Sequence, residues 1–200
     1  MSPFDLISQH LAEHPAQSLE AQQLRPAAVL VPLFQRHNET WVLFTRRTEH
    51  LPKHAGEISF PGGGAEPGDA DLWQTALRET EEEMGIVAAD VTCLGQLDDI
   101  VSVHGYLVTP YVGSFTHPYP YRIDYGEIAE VIELPLQRLR DPQIYHQEDW
   151  QHRGRTVPVD FYRLDDNEIW GLTAAILRQL LSRLEPFFQS DDRAIGGGGE

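Results

Sequence analysis

The sequence predicts an α/β fold, a mixed β-sheet with helices packed on it, and three observations lead there. Apolar runs of strand type dominate the first half of the chain, one strongly amphipathic helix interrupts them, and a second helix with a broad apolar stripe follows the last strand. At 200 residues with 41% hydrophobic residues, one compact domain with a full core is expected. Neither an internal repeat nor an internal linker divides it.

The elements follow in order. "MSPFDLISQHLAEH" reads as an amphipathic helix with acids and no long apolar stretch, so residues 1–26 are expected to be a helical extension, neither a secretion signal nor a membrane anchor. Ala27–Phe34 and Thr40–Arg47 read as strands joined by the loop "QRHNE". Asp71–Met84 sets Trp73, Ala76, Leu77, Thr80 and Met84 on one helical face, with Gly85 as the C-cap. "VTCLGQLDDIVS", "YLVTPYVGSF" and "EIAEVIELP" read as strands, with Cys93 in the core, and Pro135 opens the short helix "LQRLRD". Arg153–Leu164 is a further strand, and Ile169–Phe188 is a long helix that Trp170 packs onto the sheet. Residues 189–200 have nothing to bury and are expected to form a disordered tail.

Charge narrows the function. The formal net charge is −16 and Lys53 is the single lysine, which excludes a general nucleic-acid binder, because such a protein needs a basic face to displace counterions. A phosphate ligand must then be held locally, by a few arginines or by metal. Cys93 is the single cysteine, so no intramolecular disulfide forms and a reducing, cytoplasmic setting is expected.

The central helix carries the chemistry. At about 100° per residue, Glu79, Glu82 and Glu83 share roughly a third of the circumference, expected opposite the apolar stripe, while Glu81 points away. Like charges so spaced cost an isolated helix about 0.2–0.5 kcal/mol per pair, a penalty that a cation reverses. Carboxylates without clustered His or Cys favour a hard ion such as Mg²⁺ or Mn²⁺. Arg78, four residues before Glu82, is either a helix ion pair or the group that orients the carboxylates. Just upstream, Gly62, Gly63 and Gly64 allow backbone to approach a ligand closely, and the stretch reads as a loop leading into the acidic helix. It has neither the Gly-Lys-Ser/Thr ending of a P-loop nor the glycine spacing of a dinucleotide fingerprint.

"GGGAEPGDADLWQTALRETEEEMGI" resembles the Nudix box, with Gly63, Arg78, Glu79, Glu82, Glu83, Gly85 and Ile86 at matching positions. Asp69 stands at the first acidic position with eight residues before Arg78 instead of seven, and Thr80 takes the place of a bulky apolar residue. "LFTRRTEHLPKHAGEISFPGG" resembles the motif that precedes the box in coenzyme A pyrophosphatases, although Pro52 stands where arginine is often found. "LGQLDDIVSVHGYLVTPYVG", "EIAEVIELPL" and "IWGLTAAIL" are similar to the same branch, so the resemblance runs over residues 27–185.

The resemblance implies a Nudix-type α/β/α sandwich with a mixed β-sheet over residues 27–188, a divalent metal, and hydrolysis of coenzyme A or its acyl derivatives to 3′,5′-ADP and phosphopantetheine. In the mechanism it suggests, Glu79 and Glu83, helped by Glu82 and the Gly63 carbonyl, hold Mg²⁺ or Mn²⁺ against the pyrophosphate. Arg78 orients the carboxylates, and Glu82 or, second to it, Glu127 is the general base. Arg46, Arg47, Lys53 and His54 form the basic concentration near the box and are the candidate phosphate ligands. Asp98 and Asp99 are either acids behind the site or turn residues, and His104 is a surface residue. Two rivals stand beside this reading: a Nudix pyrophosphatase for ADP-ribose, NADH or another nucleoside diphosphate derivative, and a Nudix-fold module that binds a nucleotide without catalysis. A small-molecule substrate is expected, with no nucleic acid or membrane as partner, and a homodimer is left open.

Overall fold

The computed structural model describes residues 2–20, 23–51, 54–152 and 154–188; Lys53 and the expected tail, residues 189–200, lie outside them. The first helix, α1 (Pro3–Glu13), starts at a capping box: the Ser2 hydroxyl accepts from the Asp5 amide and the Asp5 carboxylate accepts from the Ser2 amide. Its apolar face sinks Ile7 and Leu11 into the main core.

Strand β1 (Arg25–Arg36) is the axis of the sheet. Ala27, Ala28, Leu30, Val31, Leu33 and Phe34 are all buried, the continuous pattern of a strand covered on both faces. It turns into β2 (Glu39–Arg47) through His37 and Asn38, both at positive φ (52° and 64°), which shortens the expected five-residue loop to a two-residue hairpin turn. The two strands pair only from Leu33↔Val42 to Arg36↔Glu39 and then part. Into the gap come β3 (Ile58–Ser59), paired with β2, and β4 (Gly62–Gly64), paired with β1, so the glycine stretch read as a loop is a strand.

Helix α2 (Leu72–Met84) begins at Asp71, whose side chain caps the Gln74 amide, and ends at Gly85 with φ 71°. Strands β5 (Thr92–Gln96), β6 (Ile100–Val101) and β7 (Tyr106–Ser114) follow, and β7 runs parallel to β1 while every other pairing is antiparallel. Strand β8 (Ile128–Pro135) pairs with β2, completing an eight-stranded mixed sheet. Cys93, expected in the core, is exposed, because β5 is an edge strand.

The second half departs further from expectation. Strands β9 (Tyr145–His152), β10 (Arg155–Leu164) and β11 (Asn167–Trp170) form a separate three-stranded antiparallel sheet, of which the sequence suggested only β10. Helix α3 (Gly171–Arg183) therefore starts two residues later than Ile169. Trp170 ends β11 and packs in an aromatic group with Phe161 and Trp150 (ring centroids 6.2 and 5.3 Å), so it holds this small sheet together.

The main sheet separates two layers. On one face Val31, Leu33, Val42 and Phe44 pack with Ile7 and Leu11 of α1 and Ala174, Leu177 and Leu180 of α3. On the other, Ala28 and Leu30 meet Ala76, and Phe34 and Leu43 meet Met84, all from α2. Asp98 and Asp99 belong to this architecture, not to the glutamate site. Asp98 accepts from the Gln17 amide and pairs with Arg183, while Asp99 accepts from the Leu19 amide and the Thr109 hydroxyl.

Because Ile7 is fully buried, Ile7→Ala should cost about 2–5 kcal/mol in chemical denaturation. A loss below about 1 kcal/mol would mean that α1 is a detachable appendage.

Candidate active site

The box residues converge where β1 and β2 part. Gly63 lies against the Glu79 carboxylate so closely that a Cβ there would sit 2.4–2.6 Å from its carboxyl atoms. The glycine is thus required by contact with the helix, and its neighbour Gly62 by contact with the Ala28 carbonyl, 2.4 Å from where a Cβ would be.

Arg78 organises the acids. Its Nε and Nη2 donate to the two oxygens of Asp69 (3.0 and 3.2 Å), Nη1 donates to Glu79 (3.0 Å) and Glu82 (3.1 Å), and Nη2 also reaches the Gly64 carbonyl (3.0 Å). Both readings of Arg78 hold at once: it is a helix ion pair and it orients the carboxylates. Asp69 is fully engaged, accepting also from the Glu66 amide and the Thr75 hydroxyl. The Arg78 hydrogen bonds hold its carboxyl well below the usual carboxylate range. Thr80 fits its apolar position because its hydroxyl turns back onto the Ala76 carbonyl (2.7 Å), leaving the methyl to pack.

The three glutamates do not share one exposed patch. Glu82 is exposed, Glu79 is mostly covered, and Glu83 is buried at 6% exposure. The reason lies in the helix itself: Glu83 is seven residues from Ala76, about 20° around the axis, and so borders the apolar stripe. Burial pushes the Glu83 carboxyl up to about 8 against opposing help from Arg47 and the Gly62 amide, with Glu79 and Glu127 adding repulsion. Burial also raises Glu79, partly offset by Arg78.

A segment that the sequence reading passed over brings Glu127 in. The Arg122 and Asp124 amides donate to the Met84 and Glu83 carbonyls (2.8 and 3.0 Å), satisfying the last turn of α2. Asp124 then closes a turn on the Gly126 amide, and the Glu127 carbonyl accepts from the Thr48 amide at the end of β2. The Asp-Tyr-Gly-Glu pattern was the available signal for that turn.

The basic residues divide. Arg47 Nη2 lies 3.8 Å from Glu127, whereas Arg46 binds Glu130 (3.0 Å) and Asn167 (2.8 Å). A break in the β2–β8 register falls between the two arginines, and such irregularities re-aim side chains. His54 pairs with Glu57 (2.8 Å) and packs edge-on against His104, with ring centroids 4.8 Å apart. His104 is exposed, as expected, and stands beside the upstream motif through this ring contact.

Glu83 Oε2 is buried and without a hydrogen-bond partner among the described residues. A buried orphan oxygen within a set of mutually repelling carboxylates fits a hard divalent ion. Among the described residues no three Asp, Glu, His or Cys side chains are already arranged around one point, since Arg78 draws Glu79 and Glu82 toward itself.

The family model of the NUDIX domain matches residues 24–154, and the chain belongs to the Nudix hydrolase family, whose members generally use divalent metal ions. It is 42% identical over 161 residues to the Nudix hydrolase NudL of Photorhabdus laumondii, covering 80% of this chain and 86% of that one. NudL of Yersinia pestis is likewise 42% identical, over 160 residues and 80% of each chain. Among solved structures, the fold is similar to a MutT/nudix family protein from Enterococcus faecalis (TM-score 0.55, 16% identity, 84% of this chain and 64% of that one). It is also similar to a NUDIX hydrolase from Alicyclobacillus acidocaldarius (TM-score 0.51, 19% identity, 81% and 93%).

Two outcomes follow. Gly63→Ala should fold, because the obstructing atoms end a flexible side chain, yet displace Glu79; melting and Mn²⁺ titration should show near-normal stability with weakened ion binding. In chelator, the raised Glu83 value means that the folded state holds this proton more tightly than the unfolded chain. That stabilisation is complete below pH 4.5 and lost as pH rises through about 8. Glu83→Gln should therefore melt with a flatter pH profile than wild type across that window; identical profiles would refute the assignment.

Proposed function

We propose that the chain hydrolyses the pyrophosphate bond of coenzyme A or an acyl-coenzyme A, releasing 3′,5′-ADP and the (acyl-)phosphopantetheine. The observation that carries the chemistry is the orphan Glu83 oxygen beside Glu79, at the end of a helix whose arginine gathers the remaining acids. Glu79, Glu83 and Glu82, with the Gly63 carbonyl, are the proposed ligands of Mg²⁺ or Mn²⁺. A bound ion supplies charge neutralisation of the pyrophosphate and a more acidic water. Arg78 keeps Glu79 and Glu82 oriented. Glu82 is the first candidate for the base that removes the proton of the attacking water, being exposed, and Glu127, beside Arg47, is the second.

The substrate assignment draws on the upstream motif. Within that motif the Arg47 amide donates to the Glu57 carbonyl (3.0 Å), and His54 pairs with the Glu57 carboxylate (2.8 Å). In so acidic a chain, Arg46, Arg47, Lys53 and His54 are the proposed source of positive charge for the pyrophosphate and the 3′-phosphate. Residues 27–188 form the proposed catalytic unit, working in a reducing, cytoplasmic setting.

The test is product analysis with coenzyme A, ADP-ribose and NADH, each with Mg²⁺, Mn²⁺ or chelator. Metal-dependent release of 3′,5′-ADP, faster than cleavage of the other two, is expected. Preference for ADP-ribose or NADH overturns the substrate, and no turnover at all overturns the enzyme. At saturating metal, Glu79→Gln should lose about 100-fold or more in kcat. Of Glu82→Gln and Glu127→Gln, the one removing the base should lose about 10²–10⁴-fold.

A further inference from the structure

A phosphate needs positive charge, and around the site most of that charge already has an internal partner. Arg78 donates to Asp69, Glu79 and Glu82, Arg46 to Glu130 (3.0 Å), His54 pairs with Glu57 (2.8 Å), and Arg47 lies 3.8 Å from Glu127. Among the described residues, the arginines with no carboxylate within ion-pair distance are Arg25, Arg122 and Arg155. Of these, Arg25 is the one whose guanidinium is held in place: Nη2 donates to the His104 carbonyl (3.3 Å), and Cζ stands 4.0 Å from the centre of the Tyr106 ring. Both partners are neutral, so the charge stays uncompensated, and Nε and Nη1 keep their donors without a partner among the described residues.

Arg25 also stands beside the glycine strand. Successive residues of β4 face opposite sides of the sheet. Gly63 turns to Glu79, whereas Gly64 turns to Tyr106, whose Cε1 would lie 3.9 Å from a Cβ there. Tyr106 is the partner of Arg25 in the parallel β1–β7 ladder. The Arg25 amide donates to the Gly105 carbonyl (3.1 Å), in the turn whose His104 ring packs edge-on against His54 of the upstream motif (4.8 Å). Arg25 is thus fixed between the glycine strand and that motif.

We propose that Arg25 is a specificity-determining residue that binds a phosphate monoester of the substrate remote from the scissile bond, with the Tyr106 ring holding its guanidinium in position. In the reaction proposed above, which this inference rests on, that group is the 3′-phosphate of coenzyme A, and the motif residues are left to the pyrophosphate. The net charge of −16 repels a polyanion, so its most highly charged group needs a cation that is not already neutralised. A phosphate that meets Arg46 or His54 must displace a carboxylate, whereas one that meets Arg25 displaces water. Resting on a ring and a carbonyl, the Arg25 side chain also has less freedom to lose on binding than an unsupported one. ADP-ribose and NADH carry no phosphate monoester, so Arg25 favours coenzyme A over both.

The test compares coenzyme A with dephospho-coenzyme A, which lacks only the 3′-phosphate, on the full chain at saturating Mg²⁺ or Mn²⁺. Wild type should show the lower KM for coenzyme A. Losing a charge-assisted hydrogen bond in Arg25→Gln should raise KM for coenzyme A about tenfold or more. Its kcat should hold, as expected when an interaction common to ground and transition states is removed, and KM for dephospho-coenzyme A should stay at the wild-type value. Arg25→Lys, which keeps the charge and loses the planar fork, should fall between wild type and Arg25→Gln with coenzyme A alone. Melting of both variants checks the fold; Arg25 is exposed, so little stability should be lost, and the lysine variant still reads the effect if the glutamine variant melts early. If wild type hydrolyses coenzyme A but the Arg25 variants shift KM equally for both substrates, lower kcat on both, or change neither, the role of Arg25 is overturned and the coenzyme A reading stands. Equal wild-type KM values for the two substrates overturn it as well. If wild type hydrolyses neither substrate, the coenzyme A reading falls and this inference with it.

Discussion

The constraint on which the site depends is the folding of several carboxylates into one small volume, and Arg78 is the residue that makes it feasible. One guanidinium binds Asp69, Glu79, Glu82 and the Gly64 carbonyl, joining the start of the helix, its middle and the preceding strand. A planar fork with five donors can do this, whereas a lysine ammonium cannot. Asp69 has become the anchor of that fork, which explains how an acid one residue out of the usual spacing is still used: the extra residue lengthens the loop, and the side chain reaches Arg78 from there.

Around this hub the sheet supplies the space. Strands β1 and β2 separate after four paired positions, and the gap between them admits β3 and β4. Side chains at Gly62 and Gly63 would block the contacts of β4 with β1 and with Glu79 of α2, so these two glycines occur in a strand, where glycine is otherwise unfavourable, whereas a Cβ at Gly64 would meet only Tyr106 at 3.9 Å. The same opening brings Arg47 at the end of β2 and Glu127 before β8 to the helix end. The site is therefore a product of strand divergence, with the last turn of α2 closed by backbone bonds from Arg122 and Asp124.

Much of this was legible in the chain. Helix α2 and its C-cap, the two first strands and the buried stripe follow from periodicity. The misreadings have local causes. Glu83 looked exposed because charge was weighed above its angular position next to Ala76. Trp170 looked helical because an apolar run after Ile169 fits either period until pairing with Phe161 decides it. Strand β9, rich in polar residues, has no apolar alternation to announce it and exists through its ladder with β10.

The sequence by itself determined the identity and spacing of the box residues, the acidic balance of the chain, and the family, since these depend on residue type and on spacings within one helix. Tertiary structure alone decided which glutamate is buried, which arginine faces the acids, and that Asp124 and Thr48 hold Glu127 in reach. Those outcomes depend on contacts between residues as many as 80 positions apart, and a desolvation energy is defined only once the covering segments are in place. Local spacing encodes what a helix face offers; burial decides what that face costs and therefore what it binds.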